Sequence, residues 1–227
     1  MPKKVNLSSD RTTTGVPGLD KLIEGGFMKG SSILVTGSTG SGKTILCCQF
    51  LWEGLKNGEK CMYITFEELP EEIKADALSF GWDFGKYESE GKLILTFKDP
   101  FQVTDITTRL ENEIRQNNIS RVVIDSTSLL GLYFKDANDI RRELYKLIGA
   151  LKGSGATSLL TAEVPKEDGI SRFGVEEFVA DGVIVLRLTT IGSTTSRTLE
   201  LVKMRRTKME GGSHPLTIGP KGLSLKE

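Results

Sequence analysis

The chain has 227 residues, with 30 Lys+Arg against 30 Asp+Glu and a formal net charge of zero. No end carries a long basic or acidic tail, so a dedicated nucleic-acid scaffold is not implied. Its apolar runs are only a few residues long, and the opening Met1 to Asp10 lacks the apolar core of a secretory leader, so a cytoplasmic protein without a membrane partner is expected.

The length suits one large α/β domain over 1–227, with a polar tail over 1–11. Between Thr14 and Phe27, glycines flank a short helix that leads into the apolar strand Ile33-Leu34-Val35. Gly37 to Thr44 then reads G-x-x-x-x-G-K-[S/T] and runs into a helix over Thr44–Leu55, with Ile45, Leu46, Gln49, Phe50 and Leu51 on its mostly apolar face. Such a loop cradles phosphate. Backbone N–H groups from Ser38 through Thr39, Gly40, Ser41, Gly42 and Lys43 to Thr44 wrap the β-phosphate, and bulk at the glycines would hinder the turn. Lys43 is expected at the β/γ oxygens, and Thr44 offers a hydroxyl to Mg2+. The dinucleotide alternative fails because no third glycine follows. The expected ligand is ATP.

Lys60–Phe66 reads as a strand and Pro70–Ser79 as a helix, with proline at an early position where its missing N–H does no harm. Glu67 and Glu68 fall between them, at a strand's carboxyl end. They are either a solvated acidic turn or the carboxylates that activate an attacking water. Strand side chains alternate in direction, so one of the two is expected to touch that water. Strand Lys92–Phe97 follows, then a helix over Val103–Asn117 with Val103, Ile106, Leu110 and Ile114 on one stripe. Strand Arg121–Asp125 ends an apolar run in a carboxylate, which is either a cap or the acidic residue that holds Mg2+. A helix over Asp139–Leu151 and a strand over Ala156–Thr161 complete the alternation, which predicts a mainly parallel sheet covered on both faces. Glu163, just beyond, either senses the terminal phosphate or terminates the strand.

From residue 182 the texture becomes that of short strands and polar turns: Gly182–Leu188, Arg197–Met204, Pro215–Ile218 and Leu223–Leu225. An antiparallel β extension is expected over 182–227. Lys203 and Arg205 fall on one face of a strand and Arg206 on the other, as a solvated basic edge or as charges for a neighbour's phosphate. Ser193–Ser196 reads as a hairpin turn and His214, the only histidine, as a turn residue, so no His-based triad or metal cluster can be assembled. Trp82 and Phe84 are expected to pack beside the second helix. Three cysteines, Cys47, Cys48 and Cys61, lack C-x-x-C spacing and read as reduced packing residues.

Six ordered blocks accompany the phosphate loop: Thr14-Gly-Val-Pro-Gly-Leu-Asp20, Thr65-Phe-Glu-Glu68, Ser79-Phe-Gly-Trp-Asp83, Ile124-Asp-Ser126, Arg172 to Asp181, and Lys203-Met-Arg205. With them, almost the entire chain resembles one ATPase domain of the KaiC family, in the RecA superfamily of P-loop NTPases. The resemblance implies a RecA-type fold and a Mg-dependent ATPase in a homo-hexameric ring, with ATP between subunits. It implies nucleotide contacts from Ser38 through Ile45 and from Ser79, a catalytic pair in Glu67 and Glu68 beside Lys43, and metal contacts from Thr44 and Asp125. Lys203, Met204, Arg205 and Thr207 would reach the adjacent subunit's ATP. The family's two-domain clock protein has a nucleotide-proximal histidine where this chain has Met209, and a contact pair where it has Gly219 and Pro220. No neighbouring Ser/Thr phosphorylation motif is found, so autokinase activity is not expected. Two other readings share this core: a recombinase paralogue binding single-stranded DNA through loops 131–138 and 164–176, and a non-hydrolysing nucleotide-gated scaffold. Those loops pair Lys135, Lys166 and Arg172 with Asp136, Glu167, Asp168 and Glu176, a balance that disfavours DNA. The protein client is not legible.

Overall fold

The computed structural model describes residues 10–98, 106–164, 169–191 and 193–226. Strands β1 (Arg11–Thr12) and β2 (Phe27–Met28) form a small antiparallel pair around helix α1 (Leu19–Leu22). Strand β3 (Ser32–Gly37) is buried along its whole length and delivers the chain to helix α2 (Lys43–Lys56). Strand β4 (Cys61–Thr65) and helix α3 (Pro70–Ser79) follow, the helix opened by Pro70 and by the Glu72 carboxylate, which accepts the Leu69 N–H at 2.8 Å. Next come helix α4 (Phe84–Ser89), strand β5 (Leu93–Phe97), helix α5 (Ile106–Asn117) and strand β6 (Arg121–Asp125). The predicted start of α5 at Val103 lies outside the described residues. Beyond a 3-10 turn at Thr127–Leu129 lie helices α6 (Leu130–Tyr133) and α7 (Ala137–Ser154). The latter is capped by Asp136, whose side chain accepts the Asn138 N–H, and stopped by left-handed Gly155. Strand β7 (Thr157–Glu163), helix α8 (Glu176–Val179) and strands β8 (Gly182–Ile191), β9 (Thr194–Met204), β10 (Gly212–Gly219) and β11 (Gly222–Leu225) finish the described chain.

Among the described residues the main sheet runs β11-β10-β9-β8-β3-β7-β6-β4-β5. The strands from β8 to β5 pair in parallel, and β8 to β11 pair antiparallel, as the change of texture at residue 182 predicts. Strand alternation divides the core in two. Ile33, Val35, Tyr63 and Val123 pack with Leu46, Phe50 and Leu51 of α2, while Leu34, Met62, Ile64 and Val122 pack with Leu110 and Ile114 of α5 and Ile148 and Leu151 of α7. Both faces of the parallel strands are therefore covered, which is why they read as unbroken apolar runs.

One buried amide joins distant parts of the chain. Gln49 on α2 donates to the carbonyls of Gly15 (2.7 Å) and Leu223 (3.0 Å) and accepts the Leu223 N–H at 2.7 Å, which ties the helix to β11.

Several expectations change. Thr194, Thr195 and Ser196 lie within β9, so the hairpin turn is tighter than Ser193–Ser196. His214 sits in β10 opposite Leu199 rather than in a turn. Strand β7 extends two residues past Thr161 and makes Glu163 its last member. Face alternation stops applying at Arg205 and Arg206, because β9 ends at Met204 and Arg206 turns the chain at φ 57°. Cys47, Cys48 and Cys61 are free and buried, and Trp82 stacks on Phe80 while Phe84 lies beside Trp52 of α2, as expected.

Candidate nucleotide-binding site

The loop from Gly37 to Gly42 is shaped by what side chains it cannot carry. A Cβ at Gly37 would lie 2.5 Å from both the Leu186 carbonyl oxygen and Ser41 Oγ. Gly40 and Gly42 hold φ of +75° and +106°, backbone that L side chains rarely adopt. Gly42 also starts α2, a helix of 14 residues, without a side-chain cap, so the first N–H groups of the helix are left for a ligand. Ser41 Oγ is buried with no hydrogen-bond partner among the described residues. Lys43 Nζ curls back to donate to the carbonyls of Gly37 (3.0 Å) and Ser38 (3.1 Å). Arg197, on β9, donates to the Gly40 carbonyl from Nε (3.4 Å) and Nη2 (3.3 Å), a clamp from the antiparallel half that sequence reading missed.

Carboxylates face this loop. Asp125 accepts hydroxyl donors from three elements: Tyr63 of β4 at Oδ2 (2.5 Å), Thr161 of β7 at Oδ1 (2.5 Å) and Thr44 of α2 at Oδ2 (3.4 Å). Burial pushes the Tyr63 phenol well above its ordinary value, and the Asp125 charge adds to the shift, so the hydroxyl stays a donor. After β4 the chain turns on Thr65, whose hydroxyl accepts the N–H groups of Glu67 (3.3 Å) and Glu68 (3.1 Å) and donates to the Glu68 carbonyl (2.8 Å). Strand alternation ends there, and both glutamates line the same cavity. Ser126 Oγ donates to Glu67 Oε1 at 2.5 Å. Glu68 titrates above the ordinary glutamate value through partial desolvation, reinforced by Asp125, Asp76, Glu67 and Glu72. Glu163 lines the cavity too and is ion-paired with Arg172.

The cavity measures about 360 Å³. Of the residues singled out from sequence, Thr39, Gly40, Gly42, Lys43, Thr44, Ile45, Glu67, Glu68 and Asp125 line it; Thr65, Asp76 and Ser126 do so without having been foreseen. Ser38 and Ser41 belong to the same loop. Ser79 ends α3, exposed, and its hydroxyl donates to the Asp76 carbonyl at 2.6 Å rather than entering the cavity lining. Lys203, Met204, Arg205 and Thr207 are elsewhere. Lys203 Nζ donates to the carbonyls of Glu177 (3.0 Å) and Ala180 (2.7 Å), and Arg205 reaches the Phe178 carbonyl (3.5 Å), so both cations complement the last carbonyls of α8. Desolvation and then Arg205 lower the Lys203 pKa. Met204 packs on the core, and Thr207 accepts from Arg11 Nη1 at 2.6 Å.

The donor set fits a nucleotide with a magnesium ion. Left-handed glycines and free helix N–H groups suit phosphate oxygens, while a hydroxyl and a carboxylate face them. Among the described residues no group of three or more His, Cys, Asp or Glu could hold a metal by itself. Mg2+ is commonly bound through one or two protein oxygens and the substrate's phosphates. Also among the described residues, no helix is long and apolar enough to cross a membrane.

Known proteins align with most of the chain. Residues 12–227 match a family model described as ATPase: KaiC. The chain is 36% identical over 221 residues to the circadian clock protein KaiC3 of Synechocystis and 38% identical over 224 residues to the circadian clock oscillator protein KaiC of Synechococcus elongatus. These alignments cover 92% and 93% of this chain but 44% and 43% of those relatives, so the chain spans less than half their length. A crystal structure of a KaiC-like protein from the hyperthermophilic archaeon Pyrococcus horikoshii superimposes with a TM-score of 0.86 at 38% identity, covering 96% of this chain and 99% of that one. The mostly parallel sheet flanked by helices, with its antiparallel final strands, is thus the KaiC-like version of the RecA-type fold.

Proposed function

This chain belongs to the KaiC family of ATPases, and from that premise we propose that it binds ATP with Mg2+ and hydrolyses it slowly, as a ring of six copies with a regulatory output. One observation carries the reading: Lys43 and Thr44 from the start of α2, Glu67 and Glu68 from beyond β4, and Asp125 from the end of β6 converge on one cavity. Ligands of open α/β sheets bind at these carboxyl ends of the strands.

The backbone from Ser38 to Thr44 would hold the phosphates, with Lys43 leaving its loop carbonyls for the β/γ oxygens. Thr44 Oγ1 and Asp125 would hold Mg2+, which when bound polarises the phosphate oxygens and offsets charge on the leaving group. Glu68 is the group suited to take a proton from water, because its raised pKa brings it closer to working pH, while Glu67, fixed by Ser126, orients it. Lys203, Met204, Arg205 and Thr207 would act on the ATP of the next copy, with Lys203 and Arg205 leaving the α8 carbonyls that hold them.

Incubation with Mg-ATP should release phosphate. Glu67→Gln with Glu68→Gln should lower the rate by about 100-fold or more while nucleotide stays bound. Undiminished release from that double variant sinks the assignment. Sedimentation in ADP, ATP and a non-hydrolysable analogue reads the ring. An ATP-state assembly that persists with no phosphate released identifies a scaffold instead of an enzyme.

A further inference from the structure

Among the described residues, the hydrogen bonds that orient the Asp125 carboxylate come from neutral hydroxyls. A carboxylate offers roughly four lone-pair directions, and the hydroxyls of Tyr63, Thr161 and Thr44 take three of them. Strand order explains the arrangement: β6 lies between β7 and β4, so Thr161 approaches from one neighbour and Tyr63 from the other. The three donors are not equally stiff. Threonine hydroxyls can swing to other acceptors, whereas the Tyr63 ring is 0% exposed and packed in the core beneath α2. Its oxygen is set by ring packing, and it donates to Asp125 Oδ2 at 2.5 Å. Neither Tyr63 nor Thr161 lines the cavity, so Tyr63 acts on the site only through Asp125.

We propose that Tyr63 is a positioning residue for the cation site: its hydroxyl fixes the Asp125 carboxylate so that its remaining lone pair faces the cavity, and thereby sets the affinity for Mg2+ bound with nucleotide. This rests on the ATP and magnesium reading above. Metal affinity commonly falls by about 10-fold or more when a group orienting a ligand is removed.

Tyr63→Phe removes one oxygen and leaves the ring. Binding of a fluorescent ATP analogue is followed across a magnesium titration and again in EDTA, with the melting temperature measured alongside. The expected result is a half-saturating Mg2+ concentration about 10-fold higher than in the parent, with the affinity in EDTA and the melting temperature unchanged. An unchanged magnesium titration overturns the proposal. So does an equal loss of affinity with and without the metal, or a variant that melts far below the parent, since either assigns Tyr63 a purely structural role. A parent protein that binds no analogue under any condition overturns the nucleotide reading, and this inference with it.

Discussion

Strand β6 carries a charge at each end, and the two are treated in opposite ways. Arg121, at its start, is 1% exposed. Its Nε and Nη2 reach the two oxygens of Glu59 (2.5 and 3.3 Å), its Nη1 donates to the carbonyls of Thr13 (2.7 Å) and Phe50 (2.8 Å), and its guanidinium lies 4.7 Å from the centre of the Phe50 ring. The charge is neutralised within the chain. Asp125, at the other end, receives hydroxyls alone among the described residues, and these stabilise a carboxylate without cancelling its charge. Removing one partner of a buried pair such as Arg121 and Glu59 is costly because it leaves a charge uncompensated. A charge that is hydrogen-bonded but not neutralised is left able to accept a cation, the role proposed above for Asp125.

The comparison breaks most visibly at the arginine. Arg121→Ala leaves Glu59 without its counterion, removes a donor to the Thr13 and Phe50 carbonyls and opens a void against Phe50, so chemical denaturation should show a loss of about 3–5 kcal/mol, and Arg121→Met should recover part of it by refilling the space. Asp125→Asn should do the reverse: the melting temperature stays within a few degrees because the hydroxyls can turn to meet an amide, while Mg-dependent phosphate release falls by about 100-fold. If Asp125→Asn proves the more destabilising of the two, the division of roles is wrong.

The smallest effect sharpens the electrostatic side. Glu68 keeps its proton to higher pH in the folded chain than in the unfolded one, so the stability of the protonated form is fully present below the ordinary glutamate value and is lost as pH rises through the raised one. Glu68→Gln should therefore melt about one or two degrees higher than the parent at neutral pH, screened by its solvent exposure, and equally with it in acid. A gain of the same size at every pH would assign the effect to something other than charge.

Much of this was readable from residues alone. Ile33-Leu34-Val35 and Val122-Val123-Ile124 are apolar on both faces because both faces are covered, and Asp125 stands out by ending such a run. The glycines and lysine of the phosphate loop carry their own spacing. The hydroxyls around Asp125 were not readable, nor was the reach of Arg197 to Gly40, because each depends on which strands lie side by side. Sequence reveals the order of strands along the chain; Tyr63 and Thr161 matter through their order across the sheet. Arg121 was passed over as the first residue of a strand for the same reason, since Glu59, Thr13 and Phe50 converge on it only once α2 and the first loop have packed.

The Gln49 clasp has a consequence for how the protein comes into being. A chain leaving the ribosome presents its phosphate loop and α2 early, yet the backbone of Leu223 that occupies the buried Gln49 amide is made 174 residues later. Until then the amide faces the core with two of its three hydrogen bonds missing, a penalty of a few kcal/mol. Nascent chains should thus gain a stable α2 only once Leu223 has been made.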